Sequence, residues 1–309
     1  MKLTDFYPGR RVLVTGGNGF VGKRLCSRLH DLGAIVDTLD KQGKQPADVK
    51  NMYQVRASFD RFTPDTVFHL AAKTEVRSSF VEPLETYRTN VLGTINILEI
   101  CRERKIGGLV VASSDKAYGD QGIQWMCRED QELLGNADVY SASKTAMDDI
   151  SRIYSHLYRM PITVLRPTNI YGPGQTNETT LITGTIRRLL KGEKPVIHNA
   201  SRHSLREWLY IDDAVQAYLY AGTNRDNLLS PAYNVGSRDR RSVEAVVKTL
   251  LVQFGKGEYD YDCEADTTPQ IGNQGLISTK FREKYPEWST ISFEEGLRRT
   301  VEWYREVCR

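Results

Sequence analysis

Two groups of residues in this chain could do chemistry together. The first is Ser113-Ser114-Asp115-Lys116, which follows the apolar run Leu109-Val110-Val111-Ala112. The second is Tyr140-Ser141-Ala142-Ser143-Lys144. On a helix, positions i and i+4 share a face, so the Tyr140 phenol and the Lys144 ammonium point the same way. An ammonium beside a phenol favours the phenolate and brings the phenol towards ionisation at working pH. A hydroxyl from Ser114 would hold the oxygen of a bound alcohol while Tyr140 removes its proton. That set suits oxidation of a carbinol by hydride transfer. Tyr-x-x-x-Lys spacing also arises by chance on solvated helix faces, so its meaning rests on what precedes it.

What precedes it is a nucleotide-binding pattern. Arg11-Val12-Leu13-Val14-Thr15 reads as a buried strand, and a helical pattern runs through Leu25 and Leu29. Between them lies Gly16-Gly17-Asn18-Gly19-Phe20-Val21-Gly22. Gly16 permits the tight turn, Gly19 lets backbone approach a pyrophosphate, and Gly22 lets the helix pack on the strand. Phe20 and Val21 open the helix whose N-terminus faces the phosphates. A second strand, Ile35 to Leu39, ends in Asp40. A carboxylate there accepts from both ribose hydroxyls and repels a 2′-phosphate, which predicts NAD over NADP. Lys41 next door weakens that preference. The plainer reading of Asp40 is a loop carboxylate.

The remaining elements must position these groups. Thr66-Val67-Phe68-His69-Leu70 reads as a strand, after which Ala71, Ala72 and Lys73 pass close to the cofactor. Between the second strand and this one, Lys50 to Val55 is read as a strand. The ten residues from Arg56 to Asp65 are then too few for a crossover helix of ordinary size. Glu82 to Cys101 is a long helical pattern, and Asn90 within it is placed below the catalytic site. A helix from Tyr140 to about Tyr158 is followed by a strand, Ile162 to Arg166, stopped by Pro167. Alternating strands and helices predict an α/β fold, a doubly wound parallel sheet. From Asn169 onward the rhythm is lost. Asp212-Asp213 is read as the cap of the helix that follows the strand Arg206 to Ile211. The domain reading is 1–168 for the nucleotide-binding unit, with 204–234 returning to it. Residues 169–203 and 235–309 form a smaller C-terminal lobe for substrate.

Composition narrows the class. The chain has 309 residues and a net charge of +3, with 40% hydrophobic and 26% charged residues, ordinary for a globular protein. No basic block points to nucleic acid. Five scattered cysteines without Cys-x-x-Cys spacing argue against a disulfide framework or a metal site and for a reducing compartment. Met1 to Asp5 has no apolar leader pattern and no run is long enough to span a bilayer, so a cytoplasmic location is expected.

Taken in order, the glycine triplet, Asp40, His69-Leu70-Ala71-Ala72, Ser114 and the Tyr140/Lys144 pair resemble the extended short-chain dehydrogenase/reductase family, whose members act on nucleotide sugars. Asn169-Ile170-Tyr171-Gly172-Pro173-Gly174, Arg206 to Asp213, Asn234-Val235-Gly236, and Glu295-Gly296-Leu297 with Trp303-Tyr304 look like its later blocks. The resemblance implies bound NAD, bordered also by Asn90 and Ser113. It implies a nucleotide-diphosphate sugar substrate met by Asn169 and Arg206, although Arg206 could equally pair with Glu207 or Asp212. It further implies a homodimer built on the helices from Glu82 and Tyr140.

Ser114-Asp115-Lys116 is similar to the CDP-glucose 4,6-dehydratase branch. The dTDP-glucose branch carries Thr-Asp-Glu there, and 4-epimerases carry small or neutral residues after the serine. A 4,6-dehydratase is therefore expected, with Asp115 as the acid at O6 and Lys116 as the C5 base or the holder of a water that is. The plainer readings are a turn-capping carboxylate and a surface lysine. The competing activity is a 4-epimerase. A non-catalytic dinucleotide-sensing protein is the third possibility, but such proteins often lose the Tyr or Lys kept here. Two departures from the family are visible: the acidic residue that contacts adenine has no match in Arg56-Ala57-Ser58-Phe59-Asp60, and the third crossover looks trimmed.

Overall fold

The computed structural model describes residues 2–43, 45–224, 231–257, 259–265 and 271–308. A short helix α1 (Leu3–Phe6) leads into strand β1 (Arg11–Thr15), helix α2 (Phe20–Asp31) and strand β2 (Ile35–Leu39). The next element is helix α3 (Met52–Phe62), 11 residues long, which delivers the chain to β3 (Thr66–His69). Lys50 to Val55 is therefore not a strand, and the crossover is not too short for a helix. Asn51 starts α3 by accepting from the Tyr53 and Gln54 amides, which satisfies two donors the helix start would otherwise leave open. Val55, Phe59 and Phe62 then share its buried face at helical spacing.

Next come α4 (Val76–Val81), α5 (Pro83–Tyr87) and α6 (Gly93–Glu103), then β4 (Leu109–Ala112). The pattern from Glu82 to Cys101 is not one regular helix. A π-helical turn over Arg88–Leu92 joins α5 to α6, and it carries Asn90. After β4 come β5 (Met126–Cys127), α7 (Val139–Tyr158), β6 (Ile162–Pro167), β7 (Asn169–Tyr171), α8 (Leu181–Leu190), β8 (Val196–His198), β9 (Leu205–Tyr210) and α9 (Ile211–Gly222). The chain continues through β10 (Ala232–Val235), β11 (Arg240–Ser242), α10 (Val243–Gln253), β12 (Asp262–Glu264), β13 (Gly275–Leu276), α11 (Thr279–Lys284) and α12 (Phe293–Val307).

The main sheet has six parallel strands in the order β2-β1-β3-β4-β6-β10. With α3 feeding β3 directly, β2 is an edge strand. Its Asp37 carboxylate is paired with Arg61 of α3, a charged guard on an otherwise open edge. Side chains alternate across the sheet, as the period of two requires. Val12, Val14, Val110 and Leu165 face the layer with α2 and α9, and Leu13, Val111, Ile162 and Val164 face α3, α6 and α7. Winding reverses between β1 and β3, and ligands in such sheets bind outside the carboxyl ends at that reversal.

The other strands form three smaller sheets among the described residues. β7, β9 and β11 form a three-stranded sheet, while β8 pairs with β12 and β5 with β13. Asp212 and Asp213 do not cap α9. Tyr210 is the cap residue and both carboxylates sit in the first turn. Asp212 pairs with Arg24 of α2, and Asp213 accepts from the Ile291 amide. Their charges tie α9 to its neighbours.

One buried ion pair fixes α7 against the sheet. Asp148 and Arg166 are 0% and 1% exposed and meet through two 2.8 Å bonds, Nε to Oδ2 and Nη2 to Oδ1. Arg166 also donates to the Tyr118 hydroxyl, which donates on to Asn234 of β10. Removing one partner of such a pair costs about 3–5 kcal/mol, because the other charge is left buried and alone.

Candidate active site

The reversal of winding is lined on one side by the β1–α2 turn. Gly16 has φ +71, and a Cβ there would stand 2.8 Å from the Ala71 amide nitrogen. A Cβ on Gly22 would lie 2.1 Å from the Gly16 carbonyl oxygen. Those two positions let β1, α2 and the segment Leu70-Ala71-Ala72 close on one another. A Cβ on Gly19 would meet only the Gly16 oxygen, at 3.2 Å, so its bareness faces the crevice. Gly19 is also the N-cap of α2 and offers no side-chain oxygen to the first-turn amides. Those amides, at Phe20 and beyond, suit a pyrophosphate.

Asp40 stands at the end of β2. Its carboxylate accepts from the Asn18 amide at 2.9 Å and from the Gln42 amide at 3.1 Å, which joins it to the glycine turn. Lys41 lies 3.4 Å from Asp48 and 3.8 Å from Glu85, so its charge has acidic company of its own. The segment beside Asp40 is 47–51: the Ala47 amide donates to the Asp40 carbonyl at 2.7 Å, and Val49 is buried. Asp48 lies in this segment, upstream of the stretch Arg56 to Asp60 where an adenine contact was sought. The signal available in the sequence was the Asn51 cap, which places a loop and not a strand before it.

Tyr140 lies in the first turn of α7, behind the cap Asp138, and Lys144 follows one turn on. Both are buried. The Lys144 ammonium donates to the Ala112 carbonyl at 2.7 Å and stands 5.8 Å from the centre of the Tyr140 ring. Burial pulls Lys144 down to about 8, with Asp148 opposing. The Tyr140 phenol is not brought down in the protein alone. Burial pushes it up, and only the Ser114 hydroxyl works against that.

Ser114 caps the turn Asp115–Tyr118, accepts from the Lys116 amide at 3.2 Å, and donates to the Asp115 carboxylate at 3.0 Å. Asp115 is buried, and its other oxygen is 3.1 Å from the Lys116 ammonium. Burial lowers the Lys116 pKa, Asp115 raises it, and Arg206 lowers it further. Lys116 is not a surface lysine, since its side chain is 17% exposed. Ser113 is buried at the end of β4.

A chain of hydrogen bonds links the crevice to α7. The Ala71 amide donates to the Thr15 hydroxyl, which meets His69 Nδ1 at 2.7 Å. Thr94 spends its proton on the Asn90 carbonyl, so it must accept from His69 Nε2. Burial, with Lys144 adding, pushes His69 down to about 3. The ring is therefore neutral, with the proton on Nε2. Asn90 grips Lys73 by both backbone groups and donates to Ser143, whose hydroxyl donates to the Tyr140 carbonyl. The Lys73 ammonium itself pairs with Glu82. His69 and Thr94 were not among the expected site residues.

Asn169 donates to the Glu207 carbonyl at 3.0 Å and so holds β7 to β9. Arg206 pairs with neither Glu207 nor Asp212. Its fork donates to the carbonyls of Leu205, Ile271 and Gly272. Glu207 instead takes the Arg238 and Leu276 amides.

Residues 12–236 match the model of the NAD dependent epimerase/dehydratase family. The chain is similar to the CDP-glucose 4,6-dehydratase of Salmonella typhimurium, at 28% identity over 99% of this chain and 93% of that one. It is similar to the dTDP-glucose 4,6-dehydratase of Mycobacterium tuberculosis, at 30% identity over 96% of this chain and 93% of that one. Among solved structures it superposes on the UDP-glucose 4-epimerase of Thermotoga maritima with UDP-glucose, with a TM-score of 0.87, 26% identity, and coverage of 96% and 99%. With a glycine turn that a dinucleotide fits, a doubly wound sheet and the Tyr140/Lys144 pair at its carboxyl ends, the chain belongs to the NAD-dependent epimerase/dehydratase family.

Proposed function

We propose that this protein is an NAD-dependent nucleotide-sugar 4,6-dehydratase, which converts an NDP-hexose to an NDP-4-keto-6-deoxyhexose and water. The observation that carries the reading is the buried Asp115–Lys116 pair beside Ser114 and Tyr140. A 4-epimerase needs no acid and base beyond the tyrosine. Bound NAD would supply a hydride acceptor for C4 and then a donor to C6. Gly16, Gly19 and Gly22 would seat its pyrophosphate on α2 through the amides from Phe20 and Val21. Asp40 would take the ribose hydroxyls, and Asp48 lies where adenine would reach. Leu70, Ala71, Ala72, Lys73, Asn90 and Ser113 would border the rest.

Tyr140 takes the O4 proton; the positive charge of a bound NAD would offset the burial that otherwise holds the phenol protonated. Lys144, drawn down to about 8, lies close enough to follow that change. The new C4 ketone acidifies the C5 hydrogen. Lys116 takes that proton and Asp115 gives one to O6, so water leaves.

The pair needs no net ionisation for this. Asp115 carboxylate with Lys116 ammonium, and Asp115 acid with Lys116 amine, differ by one proton moved across 3.1 Å. Lys116 returns its proton to C5 as C6 is reduced. Tyr140 then holds one proton too many and Asp115 one too few. Ser114 touches both, so the proton returns through its hydroxyl.

Asn169, within a substrate lobe of 169–203 and 235–309, is assigned to the sugar side, and Arg206, on β9 beside that lobe, to the substrate diphosphate. Arg206 has donors left over beyond its carbonyl partners, and a planar fork suits phosphate oxygens. The cytoplasm is the proposed location, supported by cysteines that are all free and a reducing compartment that keeps them so. Among the described residues no helix is long and apolar enough to cross a membrane.

A homodimer is part of the proposal. Val81 and Leu84 on α4 and α5, and Ile153 and Leu157 on α7, are large apolar side chains left open on neighbouring helices; Val81 is 82% exposed and Leu157 65%. Such faces are covered by a second copy in helical interfaces. Light scattering at micromolar concentration should give twice the chain mass, and Leu157→Lys should give the monomer. A monomeric wild-type protein contradicts this part.

Asp40→Ala should reduce the preference for NAD over NADP by about tenfold or more, the worth of a charge-assisted hydrogen-bond pair. Calorimetric titration of both cofactors measures it, and an unchanged ratio removes Asp40 from the ribose. Asp115→Asn should reduce the cofactor on adding nucleotide sugar yet eliminate water slowly. Lys116→Met should also reduce the cofactor but incorporate little solvent deuterium at C5. Wild-type exchange in Lys116→Met dismisses the lysine, and an equally harmless Asp115→Asn puts the 4-epimerase ahead.

A further inference from the structure

Lys116 has a second partner that comes from the other lobe. Gln274 is 1% exposed and sits just before β13. Its Nε2 donates to the Asp115 carbonyl at 2.8 Å, so its Oε1 is the atom that faces outward from that bond. The Lys116 ammonium donates to this Oε1. The amide cannot be turned round, because its NH₂ would then face the ammonium. One side chain therefore grips the Asp115 turn by its backbone and Lys116 by its head.

Gln274 is itself held rigidly. Its amide donates to the Leu205 carbonyl at 3.0 Å, the Leu205 amide donates to Asn273 at 2.9 Å, and the Leu276 amide donates to Glu207 at 2.8 Å. Between those bonds, Arg206 holds the carbonyls of Ile271 and Gly272. Segment 271–276 is thus stitched to β9 at every residue but Gly275, whose amide donates to the Trp125 carbonyl, and β9 is the strand that carries the arginine assigned to the diphosphate.

We propose that Gln274 is a positioning residue for the elimination step: from the substrate lobe it holds the Lys116 amine against the Asp115 carboxyl and so governs where their shared proton rests. The inference rests on the dehydratase reading for its purpose, but the contact itself does not. An acceptor at Nζ favours the ammonium over the amine. The other groups around Lys116 are Asp115 on its own turn, Arg206 on β9, Asp138 at the start of α7 and Cys127 on β5. Asp115 and Asp138 favour the ammonium, Arg206 disfavours it, and Gln274 is the uncharged group among them that touches Nζ directly.

The test is a titration of the NAD-loaded protein labelled with ¹³C-lysine. The Lys116 Cε resonance is identified by its loss in Lys116→Met. Gln274→Glu adds a charge at the acceptor and should move the Lys116 midpoint up by about one pH unit or more. Gln274→Met removes the acceptor and should move it down by about half a unit or more. The pH limb of water loss from the nucleotide sugar should move in the same directions. Midpoints that stay within about 0.2 unit of wild type in both variants, or that move the same way, overturn the assignment. Opposed shifts without water loss from any nucleotide sugar leave Gln274 on Lys116 and overturn the dehydratase reading instead. Because the two variants carry opposite signs, a general loosening of the fold cannot imitate the expected result.

Discussion

The site depends on the ion pair between Asp148 and Arg166. Tyr140, Lys144 and Asp148 follow one another at i, i+4 and i+8, so they form a single stripe on α7. Asp148 is the nearest acid to Lys144 on that stripe and would capture its ammonium. Arg166 prevents this by taking both carboxylate oxygens at 2.8 Å. Lys144 is left to a single carbonyl at the end of β4, where it also faces the Tyr140 ring. The pair thus positions α7 and at the same time keeps the lysine available. Its cost, two charges withdrawn from water, is offset only because Tyr118, Arg152 and the paired geometry satisfy the remaining groups.

A second constraint acts from the crevice side. The neutral His69 ring joins the segment after β3 to the π-helical turn at Asn90, and Asn90 joins that turn to α7. A π-helical turn shifts the backbone by one residue, which frees a carbonyl and re-aims a side chain at a functional place. Here the re-aimed side chain is Asn90. One chain of hydrogen bonds therefore runs from the segment after β3 to the Tyr140 carbonyl in the first turn of α7.

Much of this was legible in the chain. The glycine triplet, the acid at Asp40 and the Tyr140/Lys144 spacing are local patterns, and local patterns survive in one dimension. The edge of the sheet was harder. Met52, Tyr53 and Val55 look like strand formers, yet Asn51 caps a helix whose apolar residues at 55, 59 and 62 share a face. The strand expected at Lys50 to Val55 is a loop and the start of a helix, so the stretch Arg56 to Asp60, where an adenine-side acid was sought, lies inside α3. The direction of the Tyr140 shift was missed because burial, invisible in spacing, outweighs the charge of a lysine that has turned to a carbonyl. Gln274 could not be found at all. Its partners lie 158 and 159 residues away, and a single glutamine in a loop has no pattern.

The central claim is that the hydride taken from C4 is returned to C6 of the same sugar. Nucleotide-glucose carrying deuterium at C4 tests this most directly, offered in turn with each of the common bases and analysed by mass spectrometry and NMR. A 4,6-dehydratase yields a product lighter by one water, with the deuterium in the new C6 methyl group. A product of unchanged mass with deuterium still at C4 would contradict the account and make this protein an epimerase.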